Sequence, residues 1–523
     1  MAQQLQSINL VAPAFKGINT EDSPLAQDPS FAEIADNAVI DKRGRIAARK
    51  GHDVITTNKT VLGTDSIRSI KEFKDDSGNT KIFSVGNNKI ISGTTTLVDE
   101  SAAIISGGYS ITSNNWKLID FNDRIYFFQR GYEPLVYDNI SLVNGGTNGS
   151  LKKLSTVNGA AGVSSAMFGN EVVAAYGRLW TADFTDNKST VYWSDLLIGH
   201  DWSGGTSGSI DISKVWPDGY DEIVALAAHN NLLIIFGKHS IVVYEGAQSP
   251  ASMALVDTVA GVGCVDRDTV QHTGTDVIFL SHSGLRSFGR TVREKSMPIG
   301  TLSKTITKDI INLTQNEADF FRSIYSPEEN FYLLTFVGQS TTFCFDVRAA
   351  LEDGSLRVTR WPGSKFTSYE RLSDGTVYMG TSDGISQYKG YSDNGVKYRF
   401  KYFSPSLTFG NPSRLKILKK IKPTLVGANS ATVFMKFAYD FGTSFSTTEF
   451  TVGNQNPAFY NVNEFGANSV PLSEFTGGEL TNQRSLNAVG SGTTVVVGLE
   501  SDINGFALSL QEINLLALMG KTV

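Results

Sequence analysis

The sequence predicts an all-β protein whose body is a β-propeller. Composition is the first observation: 50 of 523 residues are Gly, with 31 Phe and 18 Tyr. Long runs of helix formers are rare, which favours strands joined by tight turns. The second observation is a repeat. A polar turn, an apolar strand, a second turn and a second apolar strand recur as GNNKIISGTTTLVD (86–99), FNDRIYFFQRGYEPLVYD (121–138) and YGRLWTADFTDNKSTVYWSD (176–195). The pattern continues in HNNLLIIFGKHSIVVYEG (229–246), TGTDVIFLSHSGLRSFG (273–289), PEENFYLLTFVGQSTTFCFD (327–346) and SDGTVYMGTSDGISQYKG (373–390). The turns, near Asn87, Asn122, Gly177, Asn230, Thr275, Glu329 and Asp374, are 35 to 55 residues apart. That is the period of four-stranded units stacked about an axis. The third observation is that IYFF, LLIIF, VIFL and FYLLTF are almost continuously apolar, as strands covered on both faces must be. About seven blades are expected, or six if the weak first copy lies outside the ring.

Taken in order, residues 1–51 form an N-terminal docking arm. A polar lead meets a turn at Pro24. Asp28, Pro29 and Ser30 read as a helix start, with Ser30 as cap, so a short helix over AEIADN is expected to end near Asn37. Asp41, Lys42, Arg43 and Gly44 then read as a hairpin turn between Val39-Ile40 and Ile46-Ala47. Residues 52–395 carry the propeller. Within them TLSKTITKDIINL (301–313) places Leu302, Ile306, Ile310 and Leu313 at helical spacing, for a helix against a blade edge. Two Gly/Ser/Asn-rich connections, 145–165 and 199–218, read as surface loops and candidate contact sites. At 396 the rhythm changes. VKYRFKYF alternates strictly, with Val396, Tyr398, Phe400 and Tyr402 on one face. Further strands follow in ATVFMKFAYDFG, FSTTEFTV, TTVVVGLE and FALSLQEINLLALM, with a polar loop over 454–491. Residues 396–523 are read as a β-sandwich-like domain of ordinary size. The arm's hairpin is a candidate to add strands to its sheet.

The formal net charge is −6. A protein that wraps nucleic acid is normally basic, so general DNA or RNA binding is disfavoured, whereas a passive conduit is compatible. Cys264 and Cys344, in VGCVD and TFCFD, are expected to be buried thiols. The start, MAQQLQSINL, has neither a basic region nor a long apolar core, so no secretory leader is expected. Nor does any run of about 18 apolar residues predict a transmembrane helix or membrane insertion. His229 and His239 are ten apart, as are His272 and His282, but each pair flanks a hairpin in a corresponding copy, so repeat geometry explains the spacing without a metal. KDDSGNT (74–80) resembles the Asp-box turn of sialidase propellers only faintly, because Lys81 stands where an aromatic residue belongs; a plain hairpin turn is expected. No pair of acidic residues stands out for glycoside hydrolysis, and no nucleophile elbow, phosphate loop or metal motif is present. No enzyme activity and no cofactor are therefore expected. Two clusters remain. The run SRLKILKKIKP carries Arg414, Lys416, Lys419, Lys420 and Lys422, a candidate basic strand for a channel or an interface; the bland alternative is a solvated strand with Leu415, Ile417 and Ile421 turned inward. Trp202 and Trp216 lie in the 199–218 loop and are candidate exposed aromatics for sugar contact; Trp180 and Trp193 lie in strands and are expected in the core.

Three stretches carry a family resemblance. GINTEDSPLAQDPSFAEIADNAVIDKRGRIAARKG (17–51) resembles the N-terminal segment of tail proteins of short-tailed, podovirus-type bacteriophages. GVGCVDRDTVQHTGTDVIFLSHSGLRSF (261–288) resembles a propeller blade of the same group, and YFSPSLTFGNPSRLKILKKI the start of its C-terminal β-domain. The family is the tail nozzle, also called tail tubular protein B or packaged-DNA stabilisation protein. The resemblance implies a hexameric ring below the portal and its adaptor, with fibres or tailspikes nearby. It implies a protein of the virion tail, made in the host cytoplasm, that closes the DNA exit and conducts double-stranded DNA during ejection. It also makes Asn19, Asp22, Pro24 and Leu25 candidate contacts to the adaptor or a neighbouring subunit. The competing expectation is a carbohydrate-binding or glycan-cleaving propeller that recognises a receptor.

Overall fold

The computed structural model describes residues 5–11, 14–75, 77–138, 149–294, 300–427, 431–452 and 481–522. Two compact units divide the chain: Val54–Ser340 with Ser364–Gln387, and Met1–Asp53 with Thr341–Gly363 and Tyr388–Val523.

The first of these units is the propeller. Four antiparallel four-stranded sheets follow one another: Ser69–Lys74 to Val98–Asp99, Lys117–Phe121 to Ser150–Lys153, Glu171–Ala175 to Gly208–Asp211, and Ile223–His229 to Ala254–Val259. A three-stranded sheet, Gln271–His272, Val277–Ser281 and Gly284–Ser287, comes next. Then come the hairpin Phe321–Ser326/Phe331–Phe336 and the strands Ser368–Arg371, Val377–Thr381 and Gly384–Tyr388. Six blades of three or four strands and one position held by a hairpin thus surround the axis, within the range the repeats predicted. Their first strands adjoin in chain order, and Ser368–Arg371 returns to Ser69–Lys74. Ile55 N donates to Ile385 O at 2.9 Å, tying the first residues of the unit to its last blade.

The turn chemistry explains the regularity. Asn87/Asn88, Asn122/Asp123, Tyr176/Gly177 and Asn230/Asn231 all have positive φ at both positions, the two-residue turn whose twist matches that of paired strands. Asn and Asp tolerate the left-handed region, so these dipeptides fix the hairpins. The core lies between blades. Phe83 meets Phe127 at 5.7 Å, and Phe236 meets Phe279 at 4.9 Å, across neighbouring sheets. The helix expected over 301–313 is present as a 3-10 turn, Lys304–Ile306, continuing into Thr307–Asn316. It buries Ile306 and Ile310 and packs on the edge strand Gly284–Ser287.

The second unit contains two larger sheets. One orders Thr341–Asp346, Arg357–Pro362, Ile34–Asp36, Tyr398–Phe403, Val495–Ile503, Thr432–Tyr439 and Ser446–Thr451. The other is built on the long pair Arg414–Gly427 and Leu508–Thr522, joined by Leu5–Leu10, Ile46–Ala48, Ala38–Ile40, Thr481–Gln483 and Leu486–Asn487. The alternation read in VKYRFKYF holds: Tyr398, Phe400 and Tyr402 are buried, while Val396 precedes the strand and is exposed. The hairpin of the arm joins the sheet as expected, with Ile46 opposite Leu510 and Ala47 opposite Ser509.

The helix expected over AEIADN is absent. Phe31–Ala32 pairs in parallel with Gly17–Ile18. Ile34–Asp36 lies between Arg357–Pro362 and Tyr398–Phe403, with Tyr402 opposite Ala35 and Arg360 opposite Asp36. Six residues are too few to sustain a helix by propensity, and two waiting strand edges satisfy the same amides. Asn37, at φ +52°, turns the chain into the hairpin. The expected 145–165 loop also differs: Ser150–Lys153 is a strand and Leu154–Thr156 a 3-10 turn, while 145–148 lie outside the described residues. Of the polar loop over 454–491, residues 454–480 lie outside them too.

Candidate functional site

The arm presents one projecting turn. Asn19 is buried, not a surface contact as the sequence reading had it. Its Oδ1 accepts from Glu21 N at 3.1 Å and Asp22 N at 3.2 Å, and its Nδ2 donates to Asp22 Oδ2 at 2.7 Å. Gln27 Nε2 donates to the carbonyls of Asn19 and Asp22, and Ala26 N to Ser23 O. A buried amide therefore braces the turn from beneath, and Asp22, Pro24 and Leu25 stand exposed on it. Leu25 is 48 % exposed, so this part of the sequence-predicted contact is accessible.

The basic strand divides. Arg414, Lys419 and Lys420 are exposed and Lys422 is half-buried, but Lys416 is fully buried. Lys416 Nζ donates to Thr493 O at 2.6 Å and to Asn411 O, and burial pulls its pKa down. Lys416 is an internal clamp and leaves the set of candidate channel or interface residues. The inward pattern differs from the bland alternative as well. Leu418 and Ile421 are buried while Leu415 and Ile417 are half-buried, because the strand bulges between Arg414 and Lys416 and between Leu418 and Lys420. Each bulge shifts which side chains face the core.

Trp202 and Trp216 are both buried, contrary to the expectation of exposed aromatics. Trp202 packs on Phe128 at 6.3 Å and donates to Gly199 O at 3.1 Å; Trp216 donates to Ser189 Oγ at 3.3 Å. The Gly-rich segment folds back as strand Gly208–Asp211 and carries both indoles between blades. Neither is available to stack on a sugar. What is exposed nearby is Leu196, Leu197 and Ile198, just before the segment, with Leu197 at φ +59°.

The propeller axis is filled by charge. Lys117 Nζ lies 3.3 Å from Glu171 Oε2 and 3.9 Å from Asp268 Oδ1, and Arg322 Nη1 donates to Asp268 Oδ2 at 2.9 Å. Arg267 spans to Asn170 Oδ1 at 3.0 Å and to Asn115 O at 2.9 Å. Lys71 binds Glu370 at 3.0 Å. These residues sit at or beside the first strands of successive blades, where seven strand starts converge. Burial pushes the Glu171 and Glu370 carboxyls up, against the pull of Lys117 and Lys71. Burial and the Asp268 carboxylate push Asp266 up to about 6. Sequence reading missed this cluster. Its signal was a charged residue at the start of copy after copy: Arg68, Lys117, Glu171, Asp268 and Arg322. Cavities of about 280 and 190 Å3 lie here, and Arg267 is among the residues lining each.

The remaining candidates resolve simply. His239 stacks on His282 at 5.6 Å and His229 lies 6.3 Å from His272, equivalent positions in adjacent blades. Among the described residues no group of three His, Cys, Asp or Glu is placed to hold a metal ion. Cys264 and Cys344 are buried and unbridged, and burial pushes the Cys264 thiol up to about 12. The KDDSGNT segment is a hairpin turn in which Asp75 accepts from Asn79 N at 2.7 Å; its Asp76 lies outside the described residues. Among the described residues no helix is long and apolar enough to cross a membrane.

No protein-family model matches the chain, and no curated protein sequence does. Among solved structures it is similar to a streptogramin B lyase, at 11 % identity and a TM-score of 0.36 over 63 % of this chain and 95 % of that one. It is also similar to the extracellular domain of a putative hybrid two-component system of B. thetaiotaomicron, at 10 % identity and 0.40 over 80 % and 58 %. A third is the Neurospora crassa Pan2 WD40 domain, at 8 % identity and 0.35 over 65 % and 95 %. At these values the likenesses carry no argument about activity.

Proposed function

We propose that this chain is a structural subunit of the tail nozzle of a short-tailed bacteriophage. In this reading six copies form a ring beneath the tail adaptor, close the DNA exit of the virion and conduct the genome at ejection, with a fibre or tailspike nearby. The observation that carries it is the 17–51 segment, which bears much of the family resemblance. It is woven into two sheets of its unit and leaves one braced, exposed turn at Asp22, Pro24 and Leu25. An arm built this way is a rigid docking element rather than a tether.

The filled axis adds a second support. Cavities of 280 and 190 Å3 at the axis give no passage to a DNA duplex. A duplex, whose major groove alone is about 12 Å wide, needs a path formed between subunits. The role is mechanical: each propeller is a rigid block, lateral contacts close a heterologous ring, and loops facing the common axis obstruct the DNA until a tail signal displaces them. The carbohydrate-binding alternative loses its motivating residues with the burial of Trp202 and Trp216. Electron microscopy of the purified chain, alone and with adaptor and portal, tests the proposal. A six-fold ring with a central hole is expected; a protein that stays monomeric with both partners present would overturn it.

A further inference from the structure

Three strands of the second unit expose a face that is apolar at one end and basic at the other. Register fixes its rows. Leu5 lies opposite Leu518, which lies opposite Ile417; Ser7, Leu516 and Lys420 form the next row; Asn9, Asn514 and Lys422 form the third. Side chains alternate across a sheet, so the other face holds Leu10, Ile513, Leu515, Leu418 and Ile421, all buried. On the outer face Leu5 is 58 % exposed. Lys419, extruded by the bulge, adds a third cation beside Lys420 and Lys422. Among the described residues of these strands the one carboxylate is Glu512, beyond Asn514, and it accepts from Thr424 Oγ1 at 3.3 Å. The face is thus a short apolar strip next to a stripe of lysine, in a chain whose net charge is −6.

The arm's turn has the opposite pattern. Glu21 and Asp22 precede Pro24 and Leu25 on one braced loop, an acidic edge next to an apolar knob. We infer that the outer face of Leu5–Leu10, Leu508–Thr522 and Arg414–Gly427 receives the Glu21-to-Leu25 turn of a second copy of this chain. Leu25 enters the strip of Leu5, Leu516 and Leu518, and the two carboxylates meet Lys420 and Lys422. Copies of net charge −6 repel one another at long range. A local basic stripe is where such a chain accepts an acidic surface of its neighbour, and the complementary charges set the register of approach. Knob and face are different patches, so the contact is head-to-tail and repeats around a ring. The inference rests on the nozzle reading for the ring itself, and adds the surfaces that close it.

Two full-length variants, Leu25→Cys and Leu518→Cys, are mixed under mild oxidation. The native Cys264 and Cys344 are buried, so a disulfide-linked pair is expected in the mixture, and Asp22→Lys introduced into the first variant should suppress it. Ring occupancy is then measured by native mass spectrometry. Asp22→Lys alone and Lys420→Asp alone should each raise the half-assembly concentration by about tenfold, and the double variant should restore it. Rings that form at wild-type concentration in both single variants, with no mixed disulfide, would overturn the contact and leave the nozzle reading standing. A mixed disulfide without rings under any condition would support the contact and overturn the nozzle reading. Circular dichroism identical to wild type excludes misfolding as the cause in either single variant.

Discussion

The two units each bury charge, and they do it in opposite ways. In the second unit buried charges are met one by one at close range, and Arg49 is the fullest case. Arg49 is 3 % exposed and forks onto Asp393, with Nη1 at 2.8 Å from Oδ1 and Nη2 at 2.6 Å from Oδ2. Its Nε donates to Asn37 Oδ1 at 3.0 Å, and its guanidinium lies 4.3 Å from the Tyr398 ring centroid and 5.4 Å from that of Trp361. Every direction of the planar group is used. Although burial opposes it, hydrogen bonds from His52 and Arg49 hold the Asp393 pKa at about 2. At the propeller axis the charge is shared. Lys117, Arg267 and Arg322 all reach Asp268, at 3.9, 3.7 and 2.9 Å, with Glu171 and Asp266 beside them, and burial wins over pairing at Glu171 and Asp266. A bidentate pair joins two segments at one point. A diffuse cluster fills a space where several strands meet and no single partner decides the geometry.

The comparison breaks first at Asp393. Asp393→Ala leaves Arg49 buried and unpaired, and should cost about 3–5 kcal/mol. Hydrogen exchange should accelerate over Ala38–Ile40 and Ile46–Ala48 while the blades keep their protection; equal loss in both units would contradict it. Acid separates the units next. The Asp393 pKa lies below its unfolded value, so its contribution is present above about pH 4 and is lost as pH falls toward 2. Acid unfolding should therefore begin in the second unit, and Asp393→Asn should flatten that slope. Asp266 has the reverse sign. With a folded pKa of about 6, its contribution is present below about pH 4 and lost as pH rises through 6. Asp266→Asn should raise propeller stability at pH 7 relative to pH 4, read from denaturant midpoints at the two pH values. The smallest effect is expected at Glu171→Gln, within about 1 kcal/mol of wild type in either direction, because burial already resists that charge. A loss as large as that of Asp393→Ala would show that the axis is a specific pair after all.

The same division explains what could be read in the sequence. The blades were legible because their information is local: Asn-Asn and Asn-Asp dipeptides at hairpin turns, and apolar runs between them. The strand over Ile34–Asp36 was not, because its partners are Arg360 and Lys401 to Phe403, hundreds of residues away, and the local pattern alone resembles a capped helix. Trp202 and Trp216 misled for a related reason. Gly and Ser around them imply a loop, and only the fold brings Phe128 and Ser189 to the indoles. Lys416 misled because a bulge, invisible in the pattern, turned one lysine of the basic run inward. At the candidate docking turn, the turn itself was legible from Pro24, whereas the burial of Asn19 as its brace was not, because that depends on Gln27 and Asp22 folding back onto it. The segment Thr341–Gly363 has the rhythm of a blade and belongs to the other unit, a distinction that depends on strand partners.

The pairing of Ile46 with Leu510 has a consequence in time. During synthesis the blades can form one after another as the chain emerges, each from neighbouring residues. The hairpin of the arm must wait for a strand made more than four hundred residues later, a loop closure that is slow by its nature. The turn from Glu21 to Leu25 belongs to that same arm, so it takes its final place only after Leu508–Thr522 has been made.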